Sequence, residues 1–329
     1  MAEGPLSNVV IGDSPAMREV MHIVRQVARY PYTTVLLQGE SGTGKEVIAH
    51  AIHELSRRST STFVALNCAA IPETLLETEL FGVEAGAFTD ARVSRPGLLT
   101  VANKGTLFLD EIASMPLALQ AKLLRFLETR SFVPVGSTKE VHVELRIISA
   151  TNVDLRVAIS RNAFREDLFY RLKVVPILIP PLRDRSEDID PLISFFLRSV
   201  NELRKKPLCI SEEARAMLCE YLWPGNVREL RSVIEYVSIL CDSDLVQPVH
   251  LPENIRKAPT IAAHRLQELL HQLHLPPEGV NLQGFLRTIE ATFVREALAY
   301  SHGNQVHAAA LLHISRDQLR YRLQLLENK

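Results

Sequence analysis

The sequence has few cysteines, no long apolar run and no secretory-signal pattern. Its four cysteines lie far apart and none forms a C-x-x-C pair: Cys68, Cys209, Cys219 and Cys241. This spacing excludes a disulfide framework and a cysteine-based zinc site, so we expect buried, reduced thiols. The most apolar run, 174–182, is about half as long as a membrane span and is interrupted by prolines. We therefore expect a soluble cytoplasmic protein that does not contact a membrane.

The sequence also lacks a large net charge of either sign. Lys and Arg total 37, Asp and Glu total 38, and the formal net charge is −1. Without a global positive field, any nucleic-acid binding must come from a local patch. Hydrophobic residues at 47% and charged residues at 23% exclude a disordered or collagen-like chain. A length of 329 residues predicts two domains and a smaller third.

Short apolar runs alternate with helical patterns in the first half of the chain. Ser14 and Pro15 predict the start of a first helix, because they supply an N-cap and a proline at the first helical position. The predicted strands are 34–37, 63–66, 106–109, 145–149 and 174–179, and helices are predicted at 45–55, 72–80 and 117–127. Because each strand is apolar throughout, the pattern predicts an α/β fold: a parallel sheet with helices on both faces.

The pattern changes after Pro180 and Pro181. Three helices are predicted, at 189–203, 211–221 and 227–241, with no convincing strand between them. Prolines surround one helix-like stretch, 262–273, and the last segment is again helical. The predicted domains are an α/β core at 8–180, a helical lid at 181–250, a linker at 251–280 and a small all-α domain at 281–329.

A glycine-rich loop follows the first predicted strand and precedes a helix. Its residues are Gly39, Glu40, Ser41, Gly42, Thr43, Gly44, Lys45 and Glu46. In this strand–loop–helix context the backbone N–H groups surround phosphates and Lys45 reaches the β and γ phosphates. Glu46 stands where Ser or Thr usually touches Mg²⁺. The loop predicts a nucleotide-binding site, and the alternative is a glycine-rich turn without a ligand.

Two carboxylates directly follow the apolar strand predicted at 106–109. Asp110 and Glu111 lie at its carboxyl end, where parallel sheets bind their ligands. We expect Asp110 to hold Mg²⁺, directly or through water, and Glu111 to polarise the attacking water. Together with the phosphate loop they predict an ATPase. By contrast, His50 and His53 have helical i, i+3 spacing but no third ligand, so we expect ordinary surface histidines there.

Nine motifs in order resemble the AAA+ ATPases that activate sigma-54-dependent transcription, the bacterial enhancer-binding proteins. They are GESGTGKE at 39–46, LNCAAIP at 66–72, ELFG at 79–82, GAFTDA at 86–91, GTLFLDEI at 105–112, ISATN at 148–152, FREDLFYRL at 164–172, PPLRDRSEDI at 180–189 and WPGNVREL at 223–230. The resemblance covers nearly the whole chain. It implies a P-loop AAA+ core with a helical lid, and Glu46 after the lysine is part of the same pattern.

The resemblance also implies roles for polar residues around the nucleotide. Asn67 matches the switch residue that holds the catalytic Glu111 until the ring is engaged. Thr151 and Asn152 match the first sensor of the γ-phosphate, and Arg228 matches the second sensor, on the lid.

Arg165 and Arg171 match arginine fingers, which act on the nucleotide of the neighbouring subunit. A guanidinium supplied in trans stabilises charge on the transferring phosphoryl group. The active site would then be complete only in a ring. The alternative for any one of these arginines is a solvated helix face or a salt bridge with a nearby carboxylate.

One predicted loop matches the family's contact with the sigma factor. Its residues are Gly86, Ala87, Phe88, Thr89, Asp90 and Ala91. The family's hexapeptide ends Gly-Ala, so Asp90 replaces a glycine and removes backbone freedom there. Phe88 and Thr89, the contacting residues, are retained. Residues 131–138, with Gly136, match a second loop that moves with the first.

The last segment resembles a Fis-type helix-turn-helix. An amphipathic helix is predicted at 282–299, with an apolar stripe formed by Phe285, Leu286, Ile289, Phe293, Ala297 and Leu298. Helices at 306–312 and 316–326 follow. The expected DNA-binding residues are Ser315, Arg316, Gln318, Arg320, Tyr321 and Arg322. Arg and Gln on a helix can read guanine and adenine edges while other residues hold phosphates. An arginine-decorated lid helix is the alternative.

Together these patterns predict a DNA-bound, ATP-driven activator. It would bind double-stranded DNA upstream of a promoter as a dimer, assemble into a ring (hexameric as in the family) and use ATP and Mg²⁺ to act on sigma-54 RNA polymerase. Since the ATPase begins close to residue 1, either a separate regulatory protein or abundance controls it, or the sequence is shortened. The alternative function is an ATP-switched DNA-binding regulator that does not remodel the polymerase, which Asp90 favours.

Overall fold

The computed structural model describes residues 10–87, 93–202, 204, 206–241, 243–257, 279–301 and 303–327. The chain divides into two compact units, Met1–His264 and Arg265–Lys329. In the described parts of both units, no helix is long and apolar enough to cross a membrane.

The first helix, α1 (Pro15–Ala28), begins as its sequence predicts. Ser14 is the N-cap, its hydroxyl accepts a hydrogen bond from the Met17 N–H, and Pro15 occupies the first helical position. The side chains on the apolar face are buried: Met17, Val20, Met21, Val24, Val27 and Ala28. This face packs against the central sheet.

Five parallel strands form the central sheet. They are β1 (Val35–Gln38), β2 (Phe63–Asn67), β5 (Thr106–Asp110), β8 (Arg146–Thr151) and β9 (Val175–Leu178). Their order across the sheet is β2-β5-β8-β1-β9. All five predicted strands are confirmed, with ends shifted by one or two residues. Every strand runs in the same direction, so their carboxyl ends lie along one edge of the sheet.

Helices cover both faces of this sheet, which confirms the predicted fold class. They are α2 (Lys45–Glu54), α3 (Glu73–Phe81), α4 (Leu98–Val101), α5 (Leu117–Thr129), α6 (Leu155–Ser160) and α7 (Glu166–Leu172). Successive strand residues alternate between two cores: Leu107 and Leu109 join the side of α3, α5 and α7, whereas Phe108 joins α1 and α2. The three inner strands, β5, β8 and β1, are therefore buried on both sides, whereas the edge strands β2 and β9 are partly exposed.

Two short antiparallel pairs extend from the core. One joins β3 (Gly82–Val83) to β4 (Arg95–Pro96), and the other joins β6 (Ser131–Phe132) to β7 (Val141–His142). These pairs form the stems of the two loops that the sequence singled out at 86–91 and 131–138.

A second core belongs to the lid. It contains α8 (Ile189–Asn201), α9 (Glu212–Glu220), α10 (Asn226–Leu240) and α11 (Glu253–Arg256). The expectation of no strand is wrong, because β10 (Cys209–Ile210) pairs in parallel with β11 (Leu245–Val246). Two-residue strands are too short to give a sequence pattern. Leu251 and Ile255 pack in this core, so the lid extends into the segment predicted as a linker from 251. The helix-like stretch 262–273 lies outside the described residues.

The described residues of the second unit, 279–301 and 303–327, form three helices: α12 (Leu282–Tyr300), α13 (Gln305–Leu311) and α14 (Arg316–Glu327). Its core consists of small and medium side chains: Val294, Ala297, Ala308, Ala309 and Leu319. The predicted apolar stripe of α12 is therefore wrong in part, since Leu286 and Phe293 are about half exposed. The small residues of α12 face α13, because small side chains allow these two helices to pack closely. Hydrophobic periodicity alone does not reveal which side of α12 makes this contact.

The structure corrects two further expectations. All four cysteines are free, and Cys68 and Cys241 are buried as expected, but Cys209 is exposed and Cys219 is half-buried. His53 is buried rather than on the surface, with its Nδ1 2.9 Å from the Thr106 hydroxyl of β5. Helical spacing placed this histidine on a helix but did not reveal that its face packs on the sheet.

Candidate nucleotide site and DNA-binding unit

The phosphate loop connects β1 to α2 at the carboxyl edge of the sheet. Gly42 and Gly44 have φ values of +78° and +103°, which other residues rarely adopt. Lys45 Nζ donates hydrogen bonds of 2.9 Å to the backbone oxygens of Gly39 and Glu40. The side chain of Lys45 thus folds back along the loop, where phosphates are bound in proteins with this strand–loop–helix unit.

The two predicted carboxylates lie beside this lysine. β5 ends at Asp110, whose Oδ1 accepts a 2.9 Å hydrogen bond from the Glu111 N–H, and Glu111 has a left-handed backbone with φ +49°. Burial lowers the pKa of Lys45, and the charges of Asp110 and Glu111 oppose this shift. The structure therefore brings Lys45 and both carboxylates to one site. Glu111 leaves the strand in a strained conformation that turns it away from the strand direction.

A buried thiol lies next to the carboxylates. The Cys68 N–H donates to the Asp110 backbone oxygen at 3.0 Å. Burial, followed by the charges of Asp110 and Glu111, raises the pKa of Cys68 to about 12. Since the thiolate is the reactive form, the raised pKa makes Cys68 chemically inert here.

Asn67 lies at the end of β2, opposite Asp110 in the sheet register. Its Oδ1 accepts hydrogen bonds from the backbone N–H groups of Ala69 (2.9 Å) and Ala70 (3.2 Å). Among the described residues, the Asn67 amide thus bonds to its own loop rather than to Glu111. The switch contact expected from the resemblance is not formed in this conformation.

The first sensor lies at the end of β8. Thr151 is buried, and its hydroxyl accepts a hydrogen bond from the Val153 N–H at 3.1 Å. Asn152 is exposed and, with Gly39 and Glu40 of the phosphate loop, lines an open pocket of about 390 Å³. The structure therefore places Asn152 beside the beginning of the phosphate loop.

The two predicted arginine fingers bind groups away from the phosphate loop of their own chain. Arg165 forms a two-point ion pair with Asp167, at 3.0 and 2.6 Å, and both side chains are partly exposed. Arg171 Nη2 donates to the Leu127 backbone oxygen at 3.2 Å. Gln120, buried in α5, fixes the start of α7 by accepting a 2.8 Å hydrogen bond from the Arg165 N–H.

The lid contacts the phosphate loop through the start of α10. The N–H groups of Val227 and Arg228 point to the Gly42 backbone oxygen, at 3.0 and 3.3 Å. The Arg228 guanidinium donates to the Ser41 hydroxyl at 2.9 Å. The predicted second sensor is thus already at the phosphate loop.

Sequence reasoning missed three further polar residues of this contact. Arg183 binds both carboxylate oxygens of Glu40, at 2.8 and 2.6 Å, and holds the pKa of that carboxyl below its usual value. Arg185 donates to the Thr43 backbone oxygen at 2.8 Å, and Asn226 donates to Glu40 at 3.1 Å. These residues lie in the motifs PPLRDR and WPGN. The spacing of motifs along the sequence does not reveal which residues they contact in the folded protein.

A short antiparallel pair forms the stem of the predicted sigma-contact loop. β3 and β4 pair Val83 with Arg95, and the Ala85 N–H donates to the Ser94 hydroxyl at 3.0 Å. Gly86 and Ala87 are exposed or half-buried at the base of the loop. The remaining predicted contact residues, Phe88, Thr89, Asp90 and Ala91, lie outside the described residues.

The second loop is joined to this stem. The Glu84 N–H donates to the Val135 backbone oxygen and the Val135 N–H donates to the Gly82 backbone oxygen, both at 3.0 Å. Gly136 then lies against Ala87. The two loops therefore share a hydrogen-bonded base.

The DNA-binding residues predicted at 315–322 fall into two groups: Ser315, Gln318 and Arg322 bond within this unit, whereas Arg316, Arg320 and Tyr321 are exposed. Ser315 and Gln318 form a reciprocal capping box, in which each side chain accepts from the other's backbone N–H, at 3.2 and 3.0 Å. The Arg322 guanidinium is paired with Glu290 of α12. Exposed arginines are the residues available for phosphates and bases.

The fold and the site define a P-loop nucleotide-binding core with a helical lid, followed in sequence by a separate helical unit. Three family models match the chain: "Sigma-54 interaction domain" over residues 10–178, "AAA+ ATPase lid domain" over 183–268 and "Bacterial regulatory protein, Fis family" over 285–325. The chain belongs to the family of sigma-54-dependent transcriptional regulators.

Comparison with individual proteins shows similarity to regulators of the same kind. The chain is similar to the regulatory protein AtoC of Escherichia coli, at 43% identity over 96% of the chain and 67% of AtoC. It is 44% identical to a Nif-specific regulatory protein of Klebsiella pneumoniae, over 97% of the chain but only 59% of that protein. It therefore spans between about half and two thirds of these relatives. The crystal structure of NtrX from Brucella abortus with ADP matches with a TM-score of 0.72 and 35% identity, over 98% of the chain and 71% of NtrX.

Proposed function

We propose that this protein binds and hydrolyses ATP and uses hydrolysis to remodel sigma-54 RNA polymerase at a promoter. The observation that carries the proposal is the convergence of Lys45, Asp110, Glu111 and Arg228 on one phosphate loop. A protein that only binds nucleotide needs the loop but not the water-polarising carboxylate. The matched NtrX structures, which are described as complexes with ATP and with ADP, support the same assignment.

The site fits an ATP–Mg²⁺ complex. Backbone N–H groups of the phosphate loop and Lys45 would bind the phosphates, and Asp110 would hold Mg²⁺ directly or through water. Within the described residues there is no cluster of three metal-ligating side chains. Mg²⁺ is usually bound by one or two carboxylates together with phosphate oxygens, which Asp110 and a bound nucleotide would supply. When bound, the cation would neutralise phosphate charge, and Glu111 would accept the proton of the attacking water.

The position of the arginine fingers supports hydrolysis in a ring of identical chains. Arg165 and Arg171 are held by Asp167 and Leu127 rather than by their own phosphate loop. In a ring, hexameric in our proposal, these arginines would reach the nucleotide of the neighbouring subunit. The exposed Arg165–Asp167 pair would release Arg165 at little cost, since solvent screens an ion pair at the surface.

The output of the ring would be a movement of the loop that carries Phe88 and Thr89. Its stem is bonded to the second loop through Val135, so a shift of either loop moves the other. We propose that Phe88 and Thr89 contact the sigma-54 factor, with Asp90 as a tolerated variant of the family's glycine.

The second unit would bind upstream DNA as a dimer. Arg316 and Arg320 would contact the DNA, and the exposed apolar residues Leu282, Leu286 and Phe293 of α12 support a contact with a second copy. We also propose that a separate regulatory protein controls the activity of this chain.

The hydrolytic step is tested by Glu111→Gln. This variant should bind a fluorescent ATP analogue with normal affinity and lose turnover by about 100-fold or more, because only the base is removed. Glu128→Gln, an exposed carboxyl of α5, is the matched control and should keep normal turnover. Normal hydrolysis by Glu111→Gln would contradict the assignment.

A further inference from the structure

We infer that Asn226 is a positioning residue for ATP hydrolysis: it fixes the start of the lid helix α10 against the phosphate loop, so that Arg228 reaches the γ-phosphate. This inference rests on the proposed function, since it concerns the same nucleotide site. It assigns a role to a residue whose side-chain amide bonds to the protein itself.

The lid binds three successive backbone oxygens of the phosphate loop. The oxygen of Ser41 accepts from Asn226 Nδ2 at 3.0 Å, that of Thr43 accepts from Arg185 at 2.8 Å, and that of Gly42, between them, accepts from the start of α10. Because the carbonyl groups face the lid, the N–H groups of the loop remain free to face phosphate. The conformation of the loop and the position of the lid are therefore set together.

Asn226 uses both ends of its amide in this contact. It is completely buried. Besides Ser41, its Nδ2 donates to Glu40 at 3.1 Å, and its Oδ1 accepts from the Leu182 N–H at 2.7 Å. Arg183 holds the same Glu40 carboxylate. An aspartate cannot replace this amide, since its second oxygen would face two acceptors, the Glu40 carboxylate and the Ser41 carbonyl.

The backbone around Asn226 is strained. Trp223 and Asn226 both have positive φ, +51° and +54°. Asparagine tolerates this conformation, whereas a bulky residue such as Trp adopts it only when its surroundings impose it. Trp223 is completely buried and donates to the Leu218 backbone oxygen at 2.9 Å. The turn is thus held in one shape, which fixes where α10 begins.

That starting point determines the reach of Arg228. The N–H groups of Val227 and Arg228 are satisfied by Gly42 of the phosphate loop, which takes the place of a helix cap. The phosphate loop and the turn before α10 approach each other closely, since a Cβ on Gly42 would lie 2.3 Å from the Gly225 oxygen. Arg228 lies on the first turn of α10, so a shift of this turn moves its guanidinium away from the phosphates.

Displacing Arg228 should weaken the binding of ATP more than the binding of ADP. Arg228 is assigned to the γ-phosphate, which ADP lacks, so loss of its position weakens ATP binding without an equal effect on ADP. A merely structural role for Asn226 would weaken both nucleotides together.

The test measures ATP and ADP affinity in a Glu111→Gln background, where ATP is not consumed. Asn226→Asp should weaken ATP binding by about tenfold or more and ADP binding by less than about threefold. Adding Glu40→Gln to Asn226→Asp should recover part of the ATP affinity, because the introduced amide donates to the introduced carboxylate. Asn254→Asp, which removes an exposed lid amide that donates to Tyr221, is the matched control and should change neither affinity.

The order of action is tested with Arg228→Ala. This variant should lose ATP affinity selectively, and Asn226→Asp should add little to that loss, because Asn226 acts through Arg228. Equal weakening of ATP and ADP by Asn226→Asp, or full additivity with Arg228→Ala, would overturn the inference.

Folding of the variant is checked by thermal unfolding. If Asn226→Asp does not fold, Asn226→Gly removes the amide while tolerating positive φ, and the same ATP-selective loss is expected. Failure of both variants to fold would assign Asn226 a structural role and overturn the inference. If the Glu111→Gln parent binds neither nucleotide, the proposed function fails instead, which is a separate outcome.

Discussion

Gly136 lies directly against Ala87, so close that a Cβ on Gly136 would be 2.4 Å from the Ala87 Cβ. Gly136 also has a φ of +79°, which disfavours any side chain there. Ala87 belongs to the loop proposed to contact sigma-54, and Gly136 belongs to the second loop. The close approach therefore joins the two loops at a point where only glycine fits.

This contact predicts that Gly136→Ala impairs output more than hydrolysis. The new methyl group would displace the first loop and add backbone strain of about 1–3 kcal/mol. Promoter opening should fall by about tenfold or more, whereas ATPase activity should change by less than about threefold. Combining it with Ala87→Gly removes the closest contact, although the Cα of residue 87 would still lie 2.8 Å from the new Cβ, so only part of the opening should be recovered. Unchanged opening by Gly136→Ala would show that the two loops do not act together.

The in-trans assignment of Arg165 and Arg171 predicts complementation between subunits. Each alanine variant should bind ATP and hydrolyse it poorly, and so should Glu111→Gln. Mixing an arginine variant with Glu111→Gln should recover some ATPase activity, because some interfaces then combine an intact glutamate with intact arginines. Arg161→Ala, an exposed arginine after α6, should hydrolyse normally by itself. Hydrolysis per subunit that is independent of concentration down to the monomer would contradict the assignment.

The sheet could be predicted from the sequence because buried strands such as 106–109 are apolar throughout and end in Asp110 and Glu111. The contact between lid and phosphate loop could not be predicted in the same way. It depends on Asn226 and Arg183 reaching residues about 140 to 190 positions away, and local spacing carries no signal for such pairs. His53 illustrates the same limit, since its burial depends on Thr106 of a distant strand.

The structure separates the predicted DNA-binding residues into two groups with different expected effects. Arg316→Ala and Arg320→Ala should weaken binding to duplex DNA and lower the slope of log K against log salt by about one each, because each removes a phosphate contact. Gln318→Ala should mainly destabilise α14, by about 1 kcal/mol, since it breaks the capping box with Ser315. Fluorescence anisotropy at several salt concentrations and thermal unfolding distinguish the two. Equal salt slopes for all three variants would contradict this division.

His53 predicts a dependence of stability on pH. Burial, followed by the charge of His50, lowers the pKa of His53, so the folded protein keeps this ring neutral. In the unfolded chain this histidine takes up a proton below about pH 6.5, whereas in the folded protein it does so only at lower pH. The stability that is present above about pH 6.5 is therefore lost as the pH falls through the lower pKa of the folded state. The free energy of unfolding of His53→Gln, measured with urea, should therefore differ less between about pH 7.5 and pH 5.5 than that of the parent protein. This range extends about one unit to either side of the pKa in the unfolded chain.

The control for this prediction is His22→Gln. His22 is exposed on α1, and its replacement should leave the pH dependence as in the parent protein. An identical pH dependence for His53→Gln and the parent protein would show that His53 does not carry the effect.

The most direct test of the account is promoter opening by sigma-54 RNA polymerase, measured on an intact and on a pre-melted promoter with ATP or a slowly hydrolysed analogue. The account predicts that the parent protein opens the intact promoter with ATP but not with the analogue. It also predicts that Thr89→Ala hydrolyses ATP and binds DNA but fails to open it, and that Asp90→Gly changes opening only modestly. If the parent protein hydrolyses ATP but cannot open the intact promoter, and Asp90→Gly confers that ability, the account is contradicted and the protein is an ATP-switched DNA-binding regulator.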